Sequence, residues 1–378
     1  MKRKEIAIIG GGIAGLTFSI CLQQEGYQCH VFEKQPQFNE VGAAISVFPN
    51  ALHVFEQAGI MDQIIAASGE ITKVFIKTHT GQILTNSEPK YQLPAICMHR
   101  KELHSILLRN SPALLYANHQ LQSLKNLPNG QVEIGFTNGQ IKVFDAVIGA
   151  DGIHSVVREH IIGDGKSIFR GYNIWRGIVD TSFDIGYGSE TYGHGKRVGI
   201  VPIKKGQYGW WATHNEQYLQ DDKPEGTKEK LLRLFGDWHH PIPELIAGTK
   251  TILKNGIQDR APVRGWTKGN ITLLGDAAHP TTPNLGQGGC MAIEGAYILA
   301  KAIEKYGITQ TAFNRYEQLQ FPRSKSITED SLRIGTMGQL ENKLAVLIRN
   351  SFFKLTPSSM AMKMLDKYFS YQVAELNI

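Results

Sequence analysis

The chain has little cysteine, no cluster of cationic residues and no long apolar run, and each shortage closes off a class of protein. Its four cysteines, Cys21, Cys29, Cys97 and Cys290, are scattered through 378 residues without one C-x-x-C pair. That spacing offers neither a zinc ligand set nor a disulfide framework, and it suits a reducing cytosol. Forty basic residues stand against thirty-four acidic ones, a formal +6. No Lys/Arg stripe gathers them, so no nucleic-acid partner is expected. No apolar stretch approaches the ~20 residues of a membrane-spanning helix, and residues 1–5 lead straight into the first strand, without a signal peptide's apolar core. The expectation is a cytoplasmic protein, monomer or homodimer, with no integral membrane association. Repeats and low-complexity tracts are missing too. What remains is ordinary globular usage, 42% hydrophobic and 20% charged, in a chain long enough for two domains.

Ile6-Ala7-Ile8-Ile9 is a short apolar run suited to a buried parallel strand, and the glycines of Gly10-Gly11-Gly12-Ile13-Ala14-Gly15 follow at once. Leu16, Ile20 and Leu22 then recur at near-helical spacing. Gly10 allows a tight turn, Gly12 lets the backbone approach a pyrophosphate, and Gly15 lets helix and strand lie close while the helix N-terminus faces the phosphate charge. A second strand, His30-Val31-Phe32, delivers Glu33 eighteen residues after Gly15, where a carboxylate accepts a ribose hydroxyl. The unit predicts a dinucleotide cofactor without choosing between FAD and NAD.

Two later stretches bear on that choice. They are Ala146-Val147-Ile148-Gly149-Ala150-Asp151-Gly152, followed by Ser155 and Arg158, and Ile271-Thr272-Leu273-Leu274-Gly275-Asp276-Ala277-Ala278-His279-Pro280, followed by Pro283 and Gly286-Gln287-Gly288-Gly289. With residues 42–50 and 281–290 they resemble the DG and GD motifs of the class A flavoprotein aromatic hydroxylases, over most of the chain. Within that group the pattern is nearest the bacterial urate hydroxylases and the 6-hydroxynicotinate and salicylate hydroxylases. It departs from the urate pattern at Gly209, where those enzymes carry tyrosine, and from the hydroxynicotinate pattern at Ser46, where they carry histidine.

The resemblance implies FAD bound by Gly10, Gly12, Ile13, Ala14, Gly15, Glu33, Lys34, Ala44, Arg100, Asp151, Asp276, Pro283, Gly286, Gln287, Gly288 and Gly289. It implies NADH or NADPH as a transient reductant, dioxygen as co-substrate, and hydroxylation of a planar aromatic or heteroaromatic compound through a flavin C4a-hydroperoxide. Arg197 aligns with the arginine that holds an anionic substrate in urate hydroxylases, so the substrate is expected to be anionic. Arg197, Trp211, His214 and Pro283 form the expected catalytic set. Trp175, Arg176, Tyr192, His194 and Trp210 complete the substrate candidates, each with ordinary sheet packing as the alternative. A tetracycline-inactivating monooxygenase and a non-oxygenating flavin-binding module are the competing readings; the Trp-x-Trp-x-x-Pro signature of a flavin halogenase is absent.

Read physically, Asp276 just past an apolar strand is either a hydroxyl acceptor or a helix cap. The glycines from Gly286 to Gly289 bring backbone N–H groups to a helix start, where negative charge is stabilised. Arg100 can pair with phosphate or steady the flavin, and Arg158 is either functional or a solvated surface residue.

The expected fold class is α/β, a Rossmann-like FAD-binding domain interleaved with a β-sheet substrate domain, plus C-terminal helices. The cofactor domain is assigned to 1–70, 95–171 and 259–330, the substrate domain to 71–94 and 172–258, and a helical segment to 331–378. Thr80-Gly81, Pro128-Asn129-Gly130, Asn138-Gly139 and Lys204-Lys205-Gly206-Gln207 are the predicted turns between strands. Pro322 and Pro357 are expected to break the final helices. Leu340, Leu344, Leu347 and Ile348 recur at helical spacing there, which predicts packing on the body or on a sister subunit. A peripheral membrane contact rimmed by Lys343, Arg349 and Lys354 is the alternative.

Overall fold

The first strand of this computed structural model, Lys4–Ile9, runs parallel between Tyr27–Phe32 and Ala146–Gly149. The structure describes residues 3–23, 26–38, 42–217 and 226–378, apart from the side chain of Ala361; Met1 and Lys2 of the expected leader into the strand lie outside them. Leu114–Tyr116 extends this sheet on one side, and Ile271–Leu273 followed by Thr267–Lys268 on the other. Strands buried on both faces read as continuous apolar runs, and Ile6, Ala7, Ile8, Val147 and Ile148 are fully buried. The helix Ile13–Cys21 covers one face and packs against the long helix Gly288–Tyr306.

A second sheet of seven strands runs in the order Leu253–Asp259, Ile168–Asp180, Gln207–Asn215, Lys196–Lys204, Gly188–Tyr192, Val74–Thr78 and Ile83–Ser87. Its neighbours are antiparallel except Gly188–Tyr192 beside Val74–Thr78. Alternation along Gln207–Asn215 sorts the side chains by face. Trp210 and Ala212 join Trp175 in a core closed by the helices Thr227–Phe235 and Ile242–Gly248, while Trp211 faces the opposite way with Val201 and Ile71. Two smaller sheets lie outside these. Leu121–Asn126, Val132–Phe136 and Ile141–Phe144 form hairpins at the predicted Gly130 and Gly139 turns, and Ala44–Val47, Ile96–His99 and Gly69–Glu70 form a short three-stranded sheet.

One expectation about the last third fails. Gln310–Gly338 is one continuous helix with Pro322 inside it. Proline forfeits one helical hydrogen bond. Tertiary partners hold the helix across that gap: Gln320 donates to the Met291 carbonyl at 3.0 Å, and the Arg323 guanidinium grips the buried Glu294 carboxylate at 2.7 Å. Pro357 does separate the last two long helices, Lys343–Leu355 and Ser358–Phe369. All four cysteines are free and buried. Burial pushes each thiol up to about 12.

Candidate active site

One cavity of about 980 Å³ runs from the glycine turn at the end of Lys4–Ile9 across to the inner face of the seven-stranded sheet. At its first end the chain makes room for a ligand by forgoing side chains. A Cβ on Gly10, whose φ is +111°, would stand 2.3 Å from the Ala150 carbonyl oxygen. Glu33 leaves the second strand and accepts hydrogen bonds from the backbone N–H groups of Gly11 (3.0 Å) and Gln35 (2.9 Å), which fixes its carboxylate at the cavity wall. Buried His104 ties the Gly11 carbonyl to the helix Arg100–Asn110 at 2.7 Å, a brace that no short motif announces.

Further along, Asp276 lies exposed on the cavity wall in a short 3₁₀ turn after the strand Ile271–Leu273. The loop from Pro283 then enters the helix Gly288–Tyr306, so the helix N-terminus opens on the cavity at Gly288 and Gly289. Cβ atoms on Gly286 and Gly289 would come within 3.1 Å of Phe48 and Ile45, so glycine lets the loop backbone lie directly against these side chains at the cavity wall. Arg100 and Arg176 share the wall. Burial and the neighbouring Arg100 charge hold the Arg176 guanidinium below its usual pKa.

Of the expected cofactor residues, all but two line this cavity. Gly15 does not; a Cβ there would meet the Gly10 carbonyl at 2.3 Å, and its service is the close approach of helix to strand. Gln287 is buried behind the loop, accepting from Asn50, which also donates to Glu294 at 2.6 Å. Asp151 reaches the wall while capping the helix Val156–Ile161, accepting from Ser155 Oγ (2.5 Å) and the Val156 N–H (2.7 Å). Burial nonetheless raises its carboxyl above the ordinary range. Arg158 is neither solvated nor on the wall: its Nη1 donates to the carbonyls of Ala277 and Ala278 at 2.9 and 2.8 Å, and it pairs with Asp164 at 2.6 Å. It clamps the DG helix to the GD loop.

The cavity takes only some of the substrate candidates, and strand parity explains most of the division, Trp210 reaching the cavity although the rest of its face lies under the helices. Arg176, Tyr192, Arg197, Trp210 and Trp211 reach the cavity, whereas Trp175, His194 and His214 do not. His214 follows the parity of Trp210 and Ala212, so its ring lies on the helix-covered side, 3.7 Å from Glu216. It is withdrawn from the catalytic set. Pro283 and Trp211 do line the cavity. Arg197 lines it with its donors already engaged: Nε to Gln339 (3.0 Å), Nη1 to Glu190 (3.1 Å) and Nη2 to Asn284 (2.5 Å). Its charge is neutralised within the fold, and its grip on Asn284 fixes the loop after Pro283.

The remainder of the wall was not foreseen. Ile71, Val74 and Ile76 form one apolar side, and Phe352, Phe353, Met364 and Leu365 of the last two helices form another. Sequence periodicity marked those helices as amphipathic but did not say that they close a cavity. Among the described residues there is no cluster of metal-ligating side chains.

The family described as FAD binding domain matches residues 3–331. The chain belongs to this family of FAD-dependent monooxygenases of the aromatic hydroxylase type. It is 35% identical over 373 residues to the aurachin C monooxygenase/isomerase of Stigmatella aurantiaca, covering 93% of this chain and 94% of that one. It is 27% identical over 376 residues to the 2-heptyl-3-hydroxy-4(1H)-quinolone synthase of Pseudomonas aeruginosa PAO1, covering 97% of each. The fold is that of HpxO from Klebsiella pneumoniae, solved with FAD and uric acid: TM-score 0.86, 24% identity, 97% of each chain covered. The groove fits FAD on its own terms. It joins a glycine turn without room for a Cβ, two carboxylates at the wall in Glu33 and Asp276, and a helix N-terminus that opens on the cavity through Gly288 and Gly289.

Proposed function

We propose that the protein hydroxylates a planar heteroaromatic ring that carries an apolar chain, using NAD(P)H and dioxygen in the cytoplasm. One observation carries the reading: away from the helix N-terminus the cavity wall is largely aliphatic and aromatic, and the expected anion-holding residue, Arg197, is already paired with Glu190. A small anionic substrate would find a largely apolar chamber and, in Arg197, a cation that already has its counter-ion. A ring with a hydrocarbon tail fits both facts, and the heptyl quinolone in the name of the Pseudomonas relative has that form.

FAD, when bound, supplies the redox and oxygen chemistry. The chain's own residues do the rest. Glu33 and Asp276 would accept hydroxyls of the cofactor, and Asp151 would hold the loop beside it. The N–H groups at Gly288 and Gly289 would stabilise negative charge on a ring system held beside them, helped by the dipole of the helix they begin. Trp211 and Pro283 orient the substrate ring, and the apolar wall excludes water.

The test is NADH and NADPH oxidation by the FAD-loaded enzyme with 2-alkyl-4-quinolones of increasing chain length, beside urate, salicylate and a tetracycline, with product masses. Burial of each methylene contributes up to about 0.8 kcal/mol, so KM should fall stepwise as the chain grows to heptyl, with one oxygen gained in the product. Tighter coupling of oxidation to urate, salicylate or the tetracycline than to any chain-bearing compound would sink the reading.

A further inference from the structure

We propose that the outer face of the helices Lys343–Leu355 and Ser358–Phe369 docks on an anionic lipid bilayer, with the mouth of the cavity against the lipid. The inference rests on the surface itself and stands apart from the substrate reading above.

A helix on the surface of a globular protein normally turns polar residues to water. Lys343–Leu355 does not. Its inner side is satisfied by Val346, Arg349 and half-buried Phe353, while Leu344 (66%), Leu347 (62%), Ile348 (63%), Phe352 (52%) and Leu355 (81%) stand exposed on the other side. At about 100° per residue, Leu344, Ile348 and Leu355 fall within about 40° of one another, with Leu347 and Phe352 flanking them. The next helix adds Met360 and Met364, a turn apart and more than half exposed. Of fourteen large apolar side chains exposed among the described residues, seven fall between 344 and 364. Such a concentration is a patch, whereas scattered exposed residues need no explanation.

The charges around the patch choose its occupant. From 343 to 365 the chain contains no acidic residue, and Lys343, Lys354 and Lys363 are exposed. Arg349, expected at this rim, is buried instead, donating to the carbonyls of Gly193 (3.1 Å) and Gly338 (3.4 Å), so the basic rim is made of lysines alone. A second copy meeting this patch with its own would set like charges against each other. A bilayer with anionic headgroups complements them: lysine stems lie along the apolar surface while their ammonium groups reach the phosphate level. Phe352 and Met364 belong both to the patch and to the cavity wall, so lipid contact and cavity mouth are continuous.

The test uses the FAD-loaded enzyme with vesicles of phosphatidylcholine alone and of phosphatidylcholine with phosphatidylglycerol, in co-sedimentation without substrate. The wild type should bind the phosphatidylglycerol vesicles more strongly, and less so as salt rises. The double variant Leu347→Asp/Ile348→Asp should lose at least about tenfold in vesicle partitioning, since two apolar side chains no longer enter the lipid. Lys343→Glu/Lys354→Glu should abolish the preference for anionic vesicles. None of these four residues lines the cavity, so FAD content and substrate-free NAD(P)H oxidation should stay unchanged, which separates lost docking from lost folding. Failure of the wild type to bind either vesicle, or binding that survives both variants, overturns the proposal. A dimer that Leu347→Asp/Ile348→Asp dissociates, with no vesicle binding, overturns it in favour of a second copy.

Discussion

Replacing Arg158 by alanine should loosen the cofactor site without touching the cofactor. The side chain is 1% exposed and joins two elements far apart in sequence. Its Nη1 serves the Ala277 and Ala278 carbonyls, and its other donors hold Asp164 at 2.6–3.1 Å. Arg158→Ala leaves two buried acceptors unpaired, each costing about 1–3 kcal/mol. Removing one partner of a buried ion pair costs about 3–5 kcal/mol. Asp164 retains Arg260 at 3.0 Å and is 23% exposed, which tempers that second term. The two acceptors alone bring about 2–6 kcal/mol, so a total loss of at least about 2 kcal/mol is expected. Because Asp276 immediately precedes those carbonyls, the GD loop should release FAD before the fold fails. Urea titrations followed by flavin fluorescence and by far-UV circular dichroism test this in wild type, Arg158→Ala and Arg158→Lys. The flavin transition should precede the backbone transition in the alanine variant. Lysine should recover less than half of the loss, since a point charge does not span the fork that arginine fills. A destabilisation below about 1 kcal/mol, or coincident transitions with unchanged FAD affinity, refutes the reasoning.

His279, in the same loop, is buried against Trp266 with neither ring nitrogen hydrogen-bonded, and burial takes its pKa down from 6.5 to about 4. The unfolded chain binds that proton below pH 6.5 and the folded one does not, so this contribution is intact above 6.5 and lost as pH falls toward 4. It amounts to about 3 kcal/mol. His279→Leu should flatten the acid limb of the stability curve by that order; curves that stay parallel from pH 7 to 4.5 would contradict it. Gly10→Ala forces a Cβ to 2.3 Å from the Ala150 oxygen at a φ of +111°. The strain costs of order 1–3 kcal/mol before any clash. Purified protein should therefore contain much less flavin, and a full complement by absorbance would disprove the steric account.

The parts of the molecule legible in its sequence are those governed by local rules. The strand, turn and helix of residues 4–21, the acid at Glu33 and the hairpins at Gly130 and Gly139 follow from periodicity and glycine placement. Residues whose roles depend on distant partners were not legible. Arg158 looked equally like a surface residue because Ala277 lies 119 positions away. His214 and Trp211 stand three positions apart on one strand, and alternation sends them to opposite faces; sequence reveals the alternation but not which face is the cavity. Pro322 reads as a break by local chemistry, and the buried Glu294 that Arg323 grips overrides it. The helices beyond 340 gave a sound amphipathic period, but that period does not say that one side closes a cavity.

A catalyst that brings dioxygen to a reduced flavin works beside its own oxidant, and any leakage produces peroxide within reach of the protein. Sulfur is the element most exposed to that hazard, and thiolate rather than thiol is its target. With every thiol of this chain buried and its pKa pushed up to about 12 by that burial, the unreactive thiol form prevails at neutral pH. The exposed methionines of the helix Ser358–Phe369 have no such shelter. Oxidative ageing should therefore begin at Met360 and Met364, turning apolar thioethers into polar sulfoxides at the rim while the flavin chamber behind them stays intact.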